Sequence, residues 1–373
     1  MHIRSTFKRI FHIFIRIVNF PLELKDRFFN KRFTKIYIKK DFANWAVDHT
    51  VSMIYRSLTN SKFFINSEYE IKVSIIRPKN QYVFLGDQYS LSSDRIFRDG
   101  NIIAVDYQHG LPEFSKINKN ILELFIKHQE KIRLIRVTNS FFKNFLINNG
   151  ISSNKIMQIP LTIDPKFKQL NKFKKLEIKQ MMQLPKDKFI IGSFQKDGVG
   201  WGKGLTPKYI KGPDIFLKSL EIIKDNIPNL FVLLTGPARG YVKNGLKKMN
   251  IEYMHFENIK FDKIPNLYNC LDLYLVCSRD EGGPYAVLES MASGVPIIST
   301  KVGMAHDLIK NKHNGFIVNI DDYKKIAEYA EVIKKDPQLR NKFIQNGLAK
   351  ASNYSVAHFD GLWETFFKKL VQN

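Results

Sequence analysis

The chain of 373 residues is short of cysteine, of carboxylates and of long apolar runs. Its two cysteines, Cys270 and Cys277, have no metal-ligand spacing and lie in or beside an apolar stretch. They read as small buried hydrophobes. Without a disulfide framework nothing argues for an oxidising compartment. No run of eighteen apolar residues occurs, so no membrane-spanning helix is expected. The first residues are basic and apolar, but they lack an uninterrupted apolar region and a small-residue cleavage site. No signal peptide is read, and the expected place is the cytoplasm. Asp and Glu number 35 against 59 Lys and Arg, a formal net charge of +24. That excess favours polyanionic company, either an anionic membrane surface or nucleic acid. A low-GC codon bias would produce some of it too, since Lys, Ile, Asn and Phe are all abundant. No zinc-finger or RNA-recognition signature is present, so nucleic acid is not an expected partner. There is no internal repeat and no low-complexity segment.

The length fits two domains, and 44% hydrophobic residues suffice for two cores. Residues 1–33 read as a basic amphipathic segment. Phe7, Ile10, Phe11, Phe14, Ile15 and Val18 recur at helical spacing among Arg4, Lys8, Arg9 and Arg16. Such a segment lies in a membrane interface or packs on the neighbouring domain. Residues 34–165 form the expected first domain. Apolar runs at 35–39, 82–85, 102–106 and 133–137 alternate with helical patterns at 45–58, 121–129 and 139–148, as in a parallel sheet. The polar stretch 165–186 reads as the boundary. Residues 166–350 form the second domain. Its strands are expected at 189–193, 230–235, 252–256 and 271–277, and its helices at 213–224, 242–250, 264–269, 285–293, 322–335 and 337–350. Residues 351–373 hold a last helix with Trp363, Phe366 and Phe367 on it.

The most informative stretch is Glu281-Gly-Gly-Pro-Tyr-Ala-Val-Leu-Glu289. Two glutamates stand eight positions apart across a glycine-glycine-proline turn, between an apolar strand and a helix. Gly282 and Gly283 lack Cβ atoms, so backbone amides there can approach a ligand closely. Pro284 suits the first turn of a helix, whose open amides and partial positive charge favour phosphate. Glu281 and Glu289 can accept hydrogen bonds from hydroxyls at either end of such a ligand. A nucleotide-sugar fits. Ala292-Ser-Gly-Val-Pro-Ile-Ile-Ser299 then reads as helix end, glycine cap and buried strand. This is a doubly wound α/β unit, whose ligands sit at the carboxyl ends of strands.

The segment resembles the E-x7-E signature of retaining glycosyltransferases of the GT-B fold, most closely glycosyltransferase family four. Further stretches are similar to that family: Ile190-Ile-Gly-Ser-Phe-Gln-Lys196 followed by Lys211-Gly-Pro-Asp214, Leu233-Leu-Thr-Gly236, Ile159-Pro-Leu-Thr-Ile-Asp164, Thr300-Lys-Val-Gly303 and Asn314-Gly-Phe-Ile-Val318. The resemblance covers roughly residues 135–345; before that only Gln108-His-Gly110 matches. It implies two Rossmann-like doubly wound domains facing a central cleft, with the C-terminal helix crossing back to the first domain.

For the site, the resemblance implies Lys211 as a cation for the departing diphosphate, with Lys196 near the place of a second cation that is usually arginine. Lysine there keeps the charge but loses the planar fork. Glu281 would contact the transferred sugar and Glu289 the ribose. Gly192, Gly282, Gly283, Pro284 and Tyr285 would line the donor, and His109 would hydrogen-bond the donor sugar. Asn44, Trp45, Asp48 and Asp87 follow early strands, where an acceptor would approach. No Asp-x-Asp pair occurs, so a metal site of that kind is not expected. No cofactor is expected beyond a UDP- or GDP-linked nucleotide-sugar as co-substrate. Gly198-Val-Gly-Trp-Gly-Lys-Gly204 lacks the ending of a phosphate-binding loop and reads as a flexible hairpin or lid. The expected function is metal-independent, retaining glycosyl transfer to a lipid-linked or cell-surface glycan such as lipopolysaccharide, at the inner face of the cell membrane. A nucleotide-sugar hydrolase or epimerase, a non-catalytic relative and a basic nucleic-acid binder are the alternatives.

Overall fold

The computed structural model describes residues 34–39, 50, 54, 58, 63–67, 80–92, 97 and 100–372. The expected basic segment 1–33 and the acceptor-side candidates Asn44, Trp45 and Asp48 lie outside them.

Among the described residues two six-stranded sheets carry the fold, and their strand pairings are parallel. The first contains β1 (Thr34–Lys39), β2 (Phe63–Ser67), β3 (Tyr82–Leu85), β4 (Ile102–Tyr107), β5 (Ile132–Val137) and β6 (Ile156–Gln158), in the order β2-β1-β3-β4-β5-β6. The second contains β7 (Phe189–Phe194), β8 (Leu230–Thr235), β9 (Tyr253–Phe256), β10 (Leu273–Val276), β11 (Ile297–Thr300) and β12 (Phe316–Val318), in the order β12-β11-β10-β7-β8-β9. Continuous burial along β8, β10 and β11 is what a sheet covered on both faces requires. In the second sheet the strand order reverses between β7 and β10. Loops there diverge, and a crevice opens outside the strand ends.

The stretch 165–186 is not only a polar linker. It contains the helix Lys172–Met181, whose Ile178 enters the second domain's core with Leu184. Within Lys172–Met181 only Phe173, Leu176, Ile178 and Met181 are apolar, too few to show a helical stripe against the many lysines.

The last helix, Val356–Val371, packs on the first sheet. Trp363, Phe366, Phe367 and Leu370 follow an i, i+3, i+4, i+7 spacing and bury against Ile36, Ile38, Phe84 and Leu134. Each such aromatic contributes about 1.5–3 kcal/mol by burial. Phe84 meets the rings of Trp363 and Phe366 edge-on at 6.0 and 5.8 Å. The crossing begins where the Ile163 amide donates to the Tyr354 carbonyl at 2.8 Å.

Candidate active site

The switch point of the second sheet places two loops side by side. One follows β7 and ends at the helix Pro213–Asn226; the other follows β10 and ends at the helix Tyr285–Ala292. Gly212 joins them. It has φ of +63°, and a Cβ there would stand 1.8 Å from the carbonyl oxygen of Cys277. Only glycine allows that approach. Arg279 ties the same loops together. Its guanidinium forks onto Asp214 at 2.9 and 2.8 Å and reaches Asp321 at 2.7 Å. Burial alone would raise the Asp214 carboxyl, but the Arg279 fork outweighs it and holds the carboxyl below its ordinary value.

Lys211 is fixed by this bracing. Its Nζ is 2.5 Å from Glu281 Oε1, which also accepts from the Ser278 hydroxyl at 3.0 Å. Lys196 is turned onto Trp201: its Nζ lies over the ring, 4.4 Å from the centroid, and partial burial lowers its pKa. Sequence reasoning missed Lys208. Burial, then the charges of Lys211 and Lys196, lower its pKa, and Glu281 acts in the opposite sense. Three lysines and one glutamate thus share one electrostatic environment. A lysine in a sequence with so many gives no signal of its own.

The loop Gly198–Gly204 is not a free flexible hairpin at its base. Gly198 pairs with Pro207, and Cβ atoms at Gly198 or Gly204 would collide with the backbone of Ala238. Below it Asp197 pairs with the buried Arg239 at 3.0 Å, and Arg239 donates to the carbonyls of Ser193, Gln195 and Thr235. Only the tip is solvent-facing, with Val199 and Trp201 exposed.

Glu289 lies on the helix Tyr285–Ala292 and accepts from the Tyr268 hydroxyl at 2.8 Å. Burial pushes its pKa up to about 7; the Tyr268 hydrogen bond opposes this and the Asp164 charge adds to it. Pro284 is the cap of that helix, not a residue of its first turn. Tyr285 turns towards the first domain, where its hydroxyl lies near Thr50 and Arg136. Gly192 is a packing position inside β7, since a Cβ there would overlap the Leu271 side chain at 2.3 Å. That side of Gly192 is core.

The glycine pair also has a different use from the expected one. A Cβ on Gly282 would stand 1.8 Å from the Gln108 carbonyl oxygen of the first domain, and one on Gly283 would meet Leu161. The Gly282 carbonyl accepts from Thr138 Oγ1 at 2.7 Å and Asn139 Nδ2 at 2.5 Å. The glycines therefore let the two domains close on each other. A second clasp lies beside it: the Ser140 amide donates to Asp307 at 2.9 Å, and Gln158 Nε2 donates to the same carboxylate at 3.1 Å.

His109 follows β4 and comes to the cleft beside the residue that precedes Glu281, its Nδ1 3.8 Å from Asp280 Oδ2. Asp87 is occupied locally. Its carboxylate accepts from the Ser90 amide and hydroxyl at 2.8 and 3.0 Å and caps the turn Gln88–Ser92. The structure thus gathers Lys211, Glu281, Lys208 and His109 at one cleft, with Glu289 on the helix behind. Gly192 is packed against Leu271, and Asp87 is engaged in its own turn. Among the described residues, no group of three or more His, Cys, Asp or Glu side chains could hold a metal ion.

The family model of Glycosyl transferases group 1 matches residues 205–350. The lipopolysaccharide core biosynthesis mannosyltransferase LpsB of Rhizobium meliloti is 28% identical over 194 residues, 49% of this chain and 52% of that protein. A Campylobacter jejuni N-acetylgalactosaminyltransferase, named for an undecaprenol-linked glycan, is 25% identical over 41% of this chain and 43% of its own. The chain thus spans about half the length of these curated relatives. Among solved structures, HepE of Anabaena in complex with UDP-glucose superposes with a TM-score of 0.72 at 16% identity, covering 90% of this chain and 99% of that one. Sucrose-phosphate synthase of Thermosynechococcus elongatus gives 0.73 at 15% identity, covering 91% and 99%. At those identities the likeness is one of fold. Residues 205–350 are a glycosyl transferases group 1 domain, set within a chain of the GT-B fold.

Proposed function

We propose that this chain is a retaining, metal-independent glycosyltransferase of the family-four type. It moves a sugar from a UDP- or GDP-linked donor to a lipid-linked or cell-surface glycan. One observation carries the reading above the rest. Lys211 and Glu281 are paired at 2.5 Å beside the switch point, Glu281 stands eight residues before Glu289, and its neighbour Asp280 meets His109 of the other domain.

The donor's diphosphate replaces Glu281 as the partner of Lys211. Lys208 and Lys196 add positive charge, which matters most as the leaving group gains negative charge in the transition state. Glu281, released, accepts from the sugar hydroxyls. Glu289 accepts from the ribose hydroxyls in place of Tyr268. Departure and attack on one face, with the leaving phosphate taking the acceptor's proton, account for retention without a carboxylate nucleophile. HepE bound to UDP-glucose supports a UDP-linked donor, and the named relatives support a lipid-linked or surface glycan as acceptor.

Calorimetry with UDP, GDP, ADP and their sugar conjugates tests this. Selective binding of one nucleotide, weakened by Lys211→Ala and by Glu289→Ala, is expected. Binding of none would remove the transferase reading. Rapid release of free sugar or an epimer without acceptor would favour a hydrolase or epimerase.

The net charge of +24 and the basic apolar pattern of residues 1–33 support a further part of this reading, attachment to an anionic membrane surface, each nearby cation contributing about 1 kcal/mol. Deleting residues 1–33 is expected to move it from the membrane pellet to the supernatant. An unchanged distribution would sink the anchoring idea.

A further inference from the structure

Asp280 immediately precedes the glutamate pair, belongs to the second domain, and is buried. Its carboxylate contacts none of the lysines named above. It reaches instead across the cleft to three successive residues of the first domain. The Leu111 amide donates to Oδ2 at 3.2 Å, the Gly110 amide to Oδ1 at 3.5 Å, and His109 Nδ1 stands 3.8 Å from Oδ2. The backbone amides fix the carboxylate in place. His109 Nδ1 is buried and has no hydrogen-bond partner, although the side chain as a whole is 30% exposed. The exposed part of the side chain therefore lies away from Nδ1.

An approach of about 0.8 Å would turn this contact into a hydrogen bond of ordinary length. It works only with the proton on Nδ1. The other tautomer would set a nitrogen lone pair against a carboxylate, inside a site water does not reach. Among the described residues, the neighbouring hydroxyls are engaged elsewhere. Tyr89 lies 5.9 Å from the histidine ring, centroid to centroid, and its hydroxyl donates to Asn118 Oδ1. The Tyr107 hydroxyl donates to the Gly110 carbonyl at 3.1 Å.

We propose that Asp280 is a positioning residue: it holds the His109 proton on Nδ1 and so leaves Nε2 as an acceptor for a hydroxyl of the donor sugar. Because Asp280 and His109 sit on different domains, this tautomer is set only when the cleft is closed. The role given to Nε2 rests on the transferase reading; the tautomer does not.

Long-range proton–nitrogen NMR of the full chain, with His109 assigned by loss of its signals in His109→Gln, reads the tautomer directly. The expected pattern is Nδ1 protonated and Nε2 bare. Asp280→Asn, which keeps the shape but can offer an N–H to Nδ1, is expected to shift the proton to Nε2. It should lower kcat about ten- to hundredfold, the scale of one hydrogen bond to a charged group, while the nucleotide Kd holds. In a His109→Gln background Asp280→Asn should then cost little more. Protonation at Nε2 in the unaltered protein would overturn the proposal, and so would an unchanged tautomer or unchanged kcat in Asp280→Asn. Should Asp280→Asn fail to fold, the tautomer in the unaltered protein still decides. If no nucleotide binds at all, the transferase reading fails while the tautomer result stands.

Discussion

Glu289 makes the proposed donor site sensitive to pH, and the size of the effect follows from its surroundings. Its pKa is about 7 against an ordinary 4.5, mainly because the carboxyl is buried; the Tyr268 hydroxyl opposes the shift and Asp164 adds to it. Ribose hydroxyls donate hydrogen bonds, so the binding-competent form is the carboxylate. With a pKa of about 7, about one carboxyl in eleven is ionised at pH 6 and about ten in eleven at pH 8. Affinity for the donor should therefore rise about tenfold, or about 1.4 kcal/mol, between those values and then level off. Binding at pH 7 should release about half a proton. Calorimetry in two buffers of different ionisation enthalpy measures both quantities. The ligand should be the sugar conjugate, because its diphosphate diester does not titrate in this range, whereas a free nucleoside diphosphate does. Glu289→Gln should bind more weakly at pH 8 and lose the pH dependence. A flat profile in the unaltered protein, or an identical slope in Glu289→Gln, would refute the argument.

The same raised pKa has a consequence for stability. The folded state holds the Glu289 proton more tightly than the unfolded chain, so this group's contribution is present below about pH 4.5 and is lost as pH rises through about 7. Glu289→Gln should accordingly raise Tm more at pH 8 than at pH 5, readable by calorimetric scans; the opposite ordering would contradict it. Lys211→Ala should weaken donor binding roughly ten- to hundredfold, since it removes a charged hydrogen-bond partner of the diphosphate; isothermal titration checks this. Gly282→Ala would put a Cβ 1.8 Å from the Gln108 carbonyl oxygen and prevent the closure seen here. Its kcat should fall about a hundredfold, as misplacement by an ångström does, with little change in nucleotide Kd. Trp363→Ala should cost about 3–5 kcal/mol in urea unfolding, because it empties a site packed on Phe84 and beneath the Arg136 guanidinium.

Much of this protein follows from short-range rules. Strands such as Leu230–Thr235 and helices such as Pro213–Asn226 are marked in the sequence by apolar runs, by Pro at a helix start and by Gly at a turn. The spacing of Glu281 and Glu289 likewise fixes that both lie about one helix, at the end of one strand. Covalent neighbours determine those features, so sequence alone suffices. The tertiary structure decided what no local pattern encodes. It put the Gly282 α-carbon against Gln108 and so gave the glycine pair to domain closure. It brought Lys208 beside Lys211 and carried Lys196 onto Trp201. It confined Asp87 to a local cap and joined Asp280 to His109 across 171 positions of chain. Each of these is a contact between residues far apart in sequence, set by the packing of two sheets, and a one-dimensional pattern carries no record of which distant atoms will meet.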